Sequence, residues 1–199
     1  EVALRAWLHE HGLRTREEGG DVAVVGLGGF DAGPLLEHGR LDAAWLPEPY
    51  PASLADRGIA FPLVDESSLW PPGELLATNL VVSTTYLGEH PDVVRALVEA
   101  NVRAILLCRD EPDRAKEIVA GQLASTGGPA LEPGVLDAAW AELEFTWDPL
   151  PASLARVAEQ AYTVGLSSER PRGLAGAYRL DALNHVLNDE GLRPVEAPA

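Results

Sequence analysis

Residues 41–50 (LDAAWLPEPY) constrain the fold more than any other stretch of the chain. Residues 42–46 form a run of small and apolar side chains whose length suits a buried β-strand. Pro47 and Pro49 end this run, because proline has no backbone N–H to donate to a neighbouring strand. We therefore predict that the chain leaves a sheet at this point and enters a turn.

This turn is the first candidate for a functional site. A helix is expected to begin near Pro51, since proline suits the first turn of a helix. In open α/β sheets, ligands bind beyond the carboxyl ends of the strands. We expect Glu48 and Tyr50 to line such a site, with Trp45 and Pro47 as weaker candidates that strand packing and loop geometry also explain.

Strand patterns alternate with helix patterns along the first part of the chain. The predicted strands cover residues 21–26, 41–46, 59–64 and 76–84, and the predicted helices cover residues 2–11, 32–37 and 51–56. This alternation predicts an α/β fold with a parallel, buried sheet. Asp31 is expected to be the N-cap of the second helix. Thr78, at the start of the fourth strand, is a further candidate ligand-binding residue.

The rest of the chain has the pattern of packed helices. Their predicted ranges are residues 91–108, 111–123, 133–143, 151–164 and 180–188, each supported by apolar periodicity or an initial proline. The tail after Leu192 is expected to fray. Cys108 is the only cysteine, so no internal disulfide can form, and we interpret it as a buried core thiol.

Composition excludes several classes of partner. A formal net charge of −16 argues against binding to nucleic acid or to an anionic membrane surface. No apolar run approaches the ~18 residues of a membrane span. With 46% hydrophobic and 23% charged residues, the 199-residue chain has an ordinary globular composition, sufficient for one sizeable domain or two small lobes.

Motifs for catalysis, metals and cofactors are missing from the sequence. The five histidines have no metal-ligand spacing, and there is no nucleophile-elbow motif. The glycine-rich segment 26–31 fails the dinucleotide pattern because Asp31 stands where the third glycine would be. We therefore predict no catalytic residue, no metal and no cofactor.

A set of motifs in a fixed order resembles the solute-binding proteins of ABC importers for nitrate, taurine and aliphatic sulfonates. The set comprises LDAAWLPEPY at 41–50, LWP at 69–71, TNLVV at 78–82, EHPDVV at 89–94 and LEFTWDPL at 143–150. The resemblance extends from about residue 2 to about residue 194. It implies a type II periplasmic-binding-protein-like fold, in which two α/β lobes enclose a small anion.

The resemblance also implies a domain organisation. Residues 1–75 would form part of the second lobe, and residues 76–199 would return to the first lobe, mostly as helices. The chain has no methionine, and the resemblance implies that about the first third of the protein, with any signal peptide, precedes Glu1. The expected location is periplasmic or extracellular. The implied partners are a small anionic solute and ABC permease subunits, with membrane contact only through the permease or a lipid anchor outside this chain.

Two other functions remain open on the sequence. One is an enzyme that makes a thiamine pyrimidine precursor on a similar scaffold, which a cysteine- or histidine-rich site would favour. The other is the ligand-sensing domain of a regulator, which requires an attached DNA-binding or signalling segment.

Overall fold

α-Helices make up the regular structure of the computed structural model, which describes residues 1–71, 73–126 and 131–196. About 55% of the described residues are helical, and 1% are in β-bridge conformation. The helices are α1 Val2–Glu10, α2 Gly29–Glu37, α3 Tyr50–Asp56, α4 Thr84–Glu89, α5 Pro91–Asp110, α6 Pro112–Ser125, α7 Pro133–Ala141, α8 Pro151–Thr163 and α9 Asp181–Asp189.

The predicted α/β fold with parallel sheets is wrong for the described residues. The four segments predicted as strands, 21–26, 41–46, 59–64 and 76–84, contain no named strand; they are extended or irregular, except that Thr84 begins α4. The only β-type pairing among the described residues is an isolated parallel bridge between Thr15 and Val22. Within it, Arg16 N–H donates to the carbonyl of Val22 at 2.9 Å.

A strand needs a neighbour for its backbone N–H and C=O groups, and local sequence cannot supply one. The apolar runs therefore have side chains that suit strands, but their backbones are not paired in a sheet among the described residues. Several of these side chains remain in solvent: Val25, Phe61, Leu63, Leu80 and Val81. Phe61 is 80% exposed and Val81 is 85% exposed, so no apolar layer covers these two side chains among the described residues.

The chain divides into two compact units. Unit 1 comprises Glu1–Leu69, Leu131–Leu143 and Arg156–Pro171, and unit 2 comprises the rest of the described chain. In unit 1, α3 packs against both α2 and α7. Its buried apolar side chains include Leu8, Ala32, Leu54, Val135 and Ala139.

Unit 2 is organised around the long helix α5, which contacts α4, α6 and α9. Val102 on α5 and Leu187 on α9 are both 0% exposed and form a core cluster with Val186. The segment after α9 is also fixed, because the side chain of Asn184 forms two hydrogen bonds with the backbone of Val195, at 2.8 and 3.0 Å. The expected fraying after Leu192 is therefore wrong for residues up to 195.

The helix predictions are confirmed to within a few residues at most ends, and two local predictions need correction. Gly28, not Asp31, is the N-cap of α2, and Asp31 lies in the first turn with its N–H donating to the Gly28 carbonyl at 3.0 Å. Cys108 is a half-buried free thiol rather than a core thiol, and burial raises its pKa.

The α5–α9 contact gives a stability prediction. We expect Leu187→Ala to lower the free energy of unfolding of unit 2 by about 2–5 kcal/mol, because it leaves a cavity at a fully buried position. Leu97→Ala is the matched control, since Leu97 lies on α5 and is 50% exposed. The free energy of unfolding of each variant is measured in urea, with hydrogen exchange of the α5 and α9 amides as the readout. Equal losses in the two variants would contradict this account of the core.

Candidate functional site

Trp45 is held in place by a hydrogen bond within unit 1. Its indole Nε1–H donates to Oε2 of Glu66 at 2.6 Å, and its ring lies 6.4 Å from the ring of Trp7. The side chain is half-buried. A charge-assisted bond of this length fixes the indole, so the segment entering the predicted site loop is anchored.

The loop itself turns tightly after Trp45. The exposed Pro47 accepts a hydrogen bond at its carbonyl from Tyr50 N–H at 3.2 Å, and the Glu48–Pro49 peptide bond is cis. Helix α3 then begins at Tyr50. The prolines of the sequence motif thus shape the turn, as predicted, and place Glu48 and Tyr50 at the start of a helix.

Tyr50 packs through its ring and leaves its hydroxyl unused. The ring meets that of Phe30 edge to face, with centroids 5.2 Å apart and planes at 86°. It also lies against Gly29, where an added Cβ would be 2.6 Å from Tyr50 Cζ. The Tyr50 hydroxyl makes no hydrogen bond to any described residue, so it can serve a ligand as donor or acceptor.

Glu48 is a half-buried carboxyl group with one engaged oxygen. Oε2 accepts a hydrogen bond from the N–H of Ala52 at 3.3 Å. Burial raises the pKa of Glu48, and the nearby charge of Glu142 raises it further, while the Ala52 hydrogen bond opposes both effects. A cationic group beside this carboxyl would favour its ionised form and so lower its pKa.

Thr78 is not part of this group of contacts. It belongs to unit 2, where it is exposed in an extended segment. Its neighbour Asn79 donates weakly from Nδ2 to the carbonyl of Pro149, at 3.5 Å. Thr78 therefore stays a prediction from the sequence.

Four residues around the loop were missed by sequence reasoning. They contact or influence the predicted site residues from separate segments of the chain: Gly29, Phe30, Glu66 and Glu142. Only Gly29 and Phe30 carried a local signal, as a small and a large residue at the start of a predicted strand-to-helix turn. Among the described residues, no group of three potential ligands is arranged to hold a metal ion.

Comparison with known proteins identifies the family. The model of the NMT1-like family matches residues 1–123, which is more than half of the chain and includes the whole of the 45–50 loop. The chain belongs to the NMT1-like family. No curated protein and no solved structure matches it.

Members of the NMT1-like family are usually solute-binding proteins rather than enzymes. The family is consistent with the nitrate- and taurine-binding group of solute-binding proteins that work with ABC transporters. Such proteins are typically periplasmic or extracellular. None of the helices in the described part of the chain is long and apolar enough to cross a membrane.

The environment of Glu48 predicts a pH effect. Because its folded-state pKa is raised above the ordinary 4.5, the stability contributed by neutral Glu48 is complete below pH 4.5. It is lost as the pH rises through the folded-state pKa. We expect Glu48→Gln, which cannot ionise, to become increasingly more stable than the wild type over this range in urea unfolding.

The effect of Glu142 on the pKa of Glu48 can be tested separately. Glu142→Gln should lower the pKa of Glu48 in a carboxyl NMR titration, because it removes a nearby negative charge. Glu10→Gln is the control in the same unit, since Glu10 does not contribute to the Glu48 shift. A Glu48 titration that is identical in both variants would exclude Glu142 as a cause.

The contact between Gly29 and Tyr50 predicts a local displacement. Gly29→Ala should push the Tyr50 ring away from Phe30, because the new methyl group would overlap the ring. The readout is loss of the nuclear Overhauser effects between the two rings. Gly26→Ala, whose Cβ meets nothing within 4 Å, should preserve them. If Gly29→Ala retains these effects, Gly29 does not lie against the Tyr50 ring as described.

Proposed function

We propose that this chain is the solute-binding receptor of an ABC importer for a small anion of the aliphatic sulfonate, taurine or nitrate type. The observation that carries the proposal is the match to the NMT1-like family, whose span includes residues 45–50. In the proposal, Trp45, Pro47, Glu48 and Tyr50 contribute to the ligand site, and the receptor delivers its solute to permease subunits outside the cytoplasm.

Among these solutes, the chemistry of Glu48 favours taurine. A carboxylate repels a simple anion such as nitrate, but it attracts the ammonium group that taurine carries beside its sulfonate. Burial already disfavours the ionised form of Glu48, as its raised pKa reflects. A ligand ammonium group would offset that cost, so taurine binding should strengthen as Glu48 ionises.

Tyr50 would act through its hydroxyl and not through its ring. The ring is occupied by contacts with Phe30 and Gly29, whereas the hydroxyl makes no hydrogen bond to the described residues. A phenol O–H suits a sulfonate oxygen as a donor. Trp45 is bound to Glu66 and would form an apolar wall, and Pro47 would fix the turn.

The first test compares solutes that differ by one group. Taurine and ethanesulfonate share a sulfonate, and only taurine has an amino group. In a thermal-shift screen, a ligand at a hundred times its Kd should add about 2.7 kcal/mol of stability. We expect a shift with taurine that exceeds those with ethanesulfonate and nitrate, and no consumption of the ligand.

Substitutions then test which group of the ligand each residue binds. Glu48→Gln should weaken taurine binding at least tenfold, because a neutral amide cannot pair with the ammonium group, and should leave ethanesulfonate unaffected. Tyr50→Phe retains the packing with Phe30 and should weaken both sulfonates. Glu10→Gln, an exposed change of equal charge in unit 1, is the control.

Three results would count against the proposal. Equal taurine affinity in Glu48→Gln and the wild type would remove Glu48 from the site. No shift with any solute would exclude this ligand class. Turnover of a pyrimidine precursor would favour an enzyme.

A further inference from the structure

Unit 2 contains a cavity of about 500 Å³ that shares no residue with the 45–50 loop. Arg109 and Arg193 contribute cationic side chains to its lining, and Trp147 and Pro151 contribute apolar surface. A concave surface that combines apolar walls with a few polar groups is typical of small-ligand sites. Neither the family match nor the sequence motifs assign a role to it.

Arg109 is restrained by two contacts within unit 2. It lies in the last turn of α5, and its Nε–H donates to the carbonyl of Phe145 at 2.6 Å. Its guanidinium carbon sits 4.5 Å from the centroid of the Trp147 ring. These two contacts restrict the side chain and leave both Nη groups without a hydrogen bond to the described residues. These contacts reduce the entropy cost of ordering the guanidinium group when a ligand binds.

Arg193 is positioned by the backbone that carries it. The segment around it is fixed by the paired hydrogen bonds between Asn184 and Val195, and Leu192 and Val195 pack on the core cluster of unit 2. Within the described residues, neither Arg193 nor Arg109 has a carboxylate oxygen within 4 Å. Other arginines of this acidic chain do form such pairs: Arg5, Arg57, Arg103, Arg114 and Arg170.

The acidic residues of the cavity limit the charge of a ligand. Asp148 and Glu196 also line the cavity, so its two guanidinium groups are balanced by two carboxylates. One Asp148 oxygen is engaged, since Oδ1 accepts a hydrogen bond from Leu150 N–H at 2.8 Å. A polyanion would be repelled by these carboxylates, whereas a single oxyanion can bind between the guanidinium forks.

We propose that this cavity binds a small organic monoanion with a flat apolar body. The oxyanion would accept hydrogen bonds from Arg109 and Arg193, and the body would lie against the apolar wall formed by Trp147 and Pro151. This site is independent of the proposed solute site, because it uses other residues and needs no amino group on the ligand.

Benzoate is the probe, and calorimetric titration of the 199-residue chain is the measurement. Benzamide is its neutral analogue, acetate lacks the ring, and citrate is a polyanion. We expect benzoate to bind at least tenfold more tightly than each of these three. Chemical-shift changes centred on the Trp147 indole N–H should locate the site.

Variants make the test specific. Arg193→Gln should weaken benzoate binding at least tenfold, and the chain should still fold because Arg193 is exposed. Arg109→Lys retains the charge but loses the planar fork, and should also weaken binding. Arg114→Gln, an exposed change of equal charge on α6, should alter the affinity less than twofold.

The proposal is overturned if benzoate and benzamide bind alike, if Arg193→Gln equals Arg114→Gln, or if no binding is seen at millimolar benzoate. Glu48→Gln should leave benzoate binding unchanged. Failure of taurine to bind would therefore not affect this result, and the two proposals can fail separately.

Discussion

The packing of α5 against α9 is the interaction on which unit 2 depends. Val102 and Leu187 are fully buried at that contact, and α4, α6 and the segment after α9 all assemble around it. Helices satisfy their own backbone hydrogen bonds, so they need only side-chain burial to become stable. Since the extended segments have no strand partners in the part of the chain that the structure describes, this self-sufficiency explains why the helical contacts determine the structure there. The cavity with Arg109 and Arg193 exists because the same contact fixes both the end of α5 and the segment after α9.

In unit 1, residues distant in sequence determine the environment of the side chains in the 45–50 loop. The prolines at 47 and 49 shape the turn, but the properties of the side chains come from elsewhere. Glu66 fixes the indole of Trp45, Phe30 and Gly29 hold the ring of Tyr50, and Glu142 adds to the raised pKa of Glu48. A carboxyl group and a phenol hydroxyl are thereby held at the start of one helix. Both groups can form hydrogen bonds with a polar solute.

The sequence predicted the helices well and the rest of the fold poorly. Helix signals are local, as in the initial prolines of α5, α6 and α7 and the apolar periodicity of α1. Strand signals at 21–26 or 59–64 report only suitable side chains, because pairing depends on residues elsewhere. The turn that carries Glu48 was also predictable, since two prolines specify it. The influence of Glu142 on Glu48, and the cavity that Arg109 and Arg193 both line, depend on tertiary contacts that no local pattern encodes.

The uncovered extended segments affect how copies of the chain meet in solution. Phe61 and Val81 are 80% and 85% exposed, on backbone that has no strand partner among the residues the structure describes, which makes these segments templates for pairing between molecules. The formal net charge of −16 opposes such encounters by mutual repulsion. Salt shortens the range of that repulsion, to about 8 Å at 0.15 M ionic strength. Colloidal stability should therefore decrease as ionic strength increases, and dilute buffer well above the isoelectric point is the medium in which the chain stays dispersed.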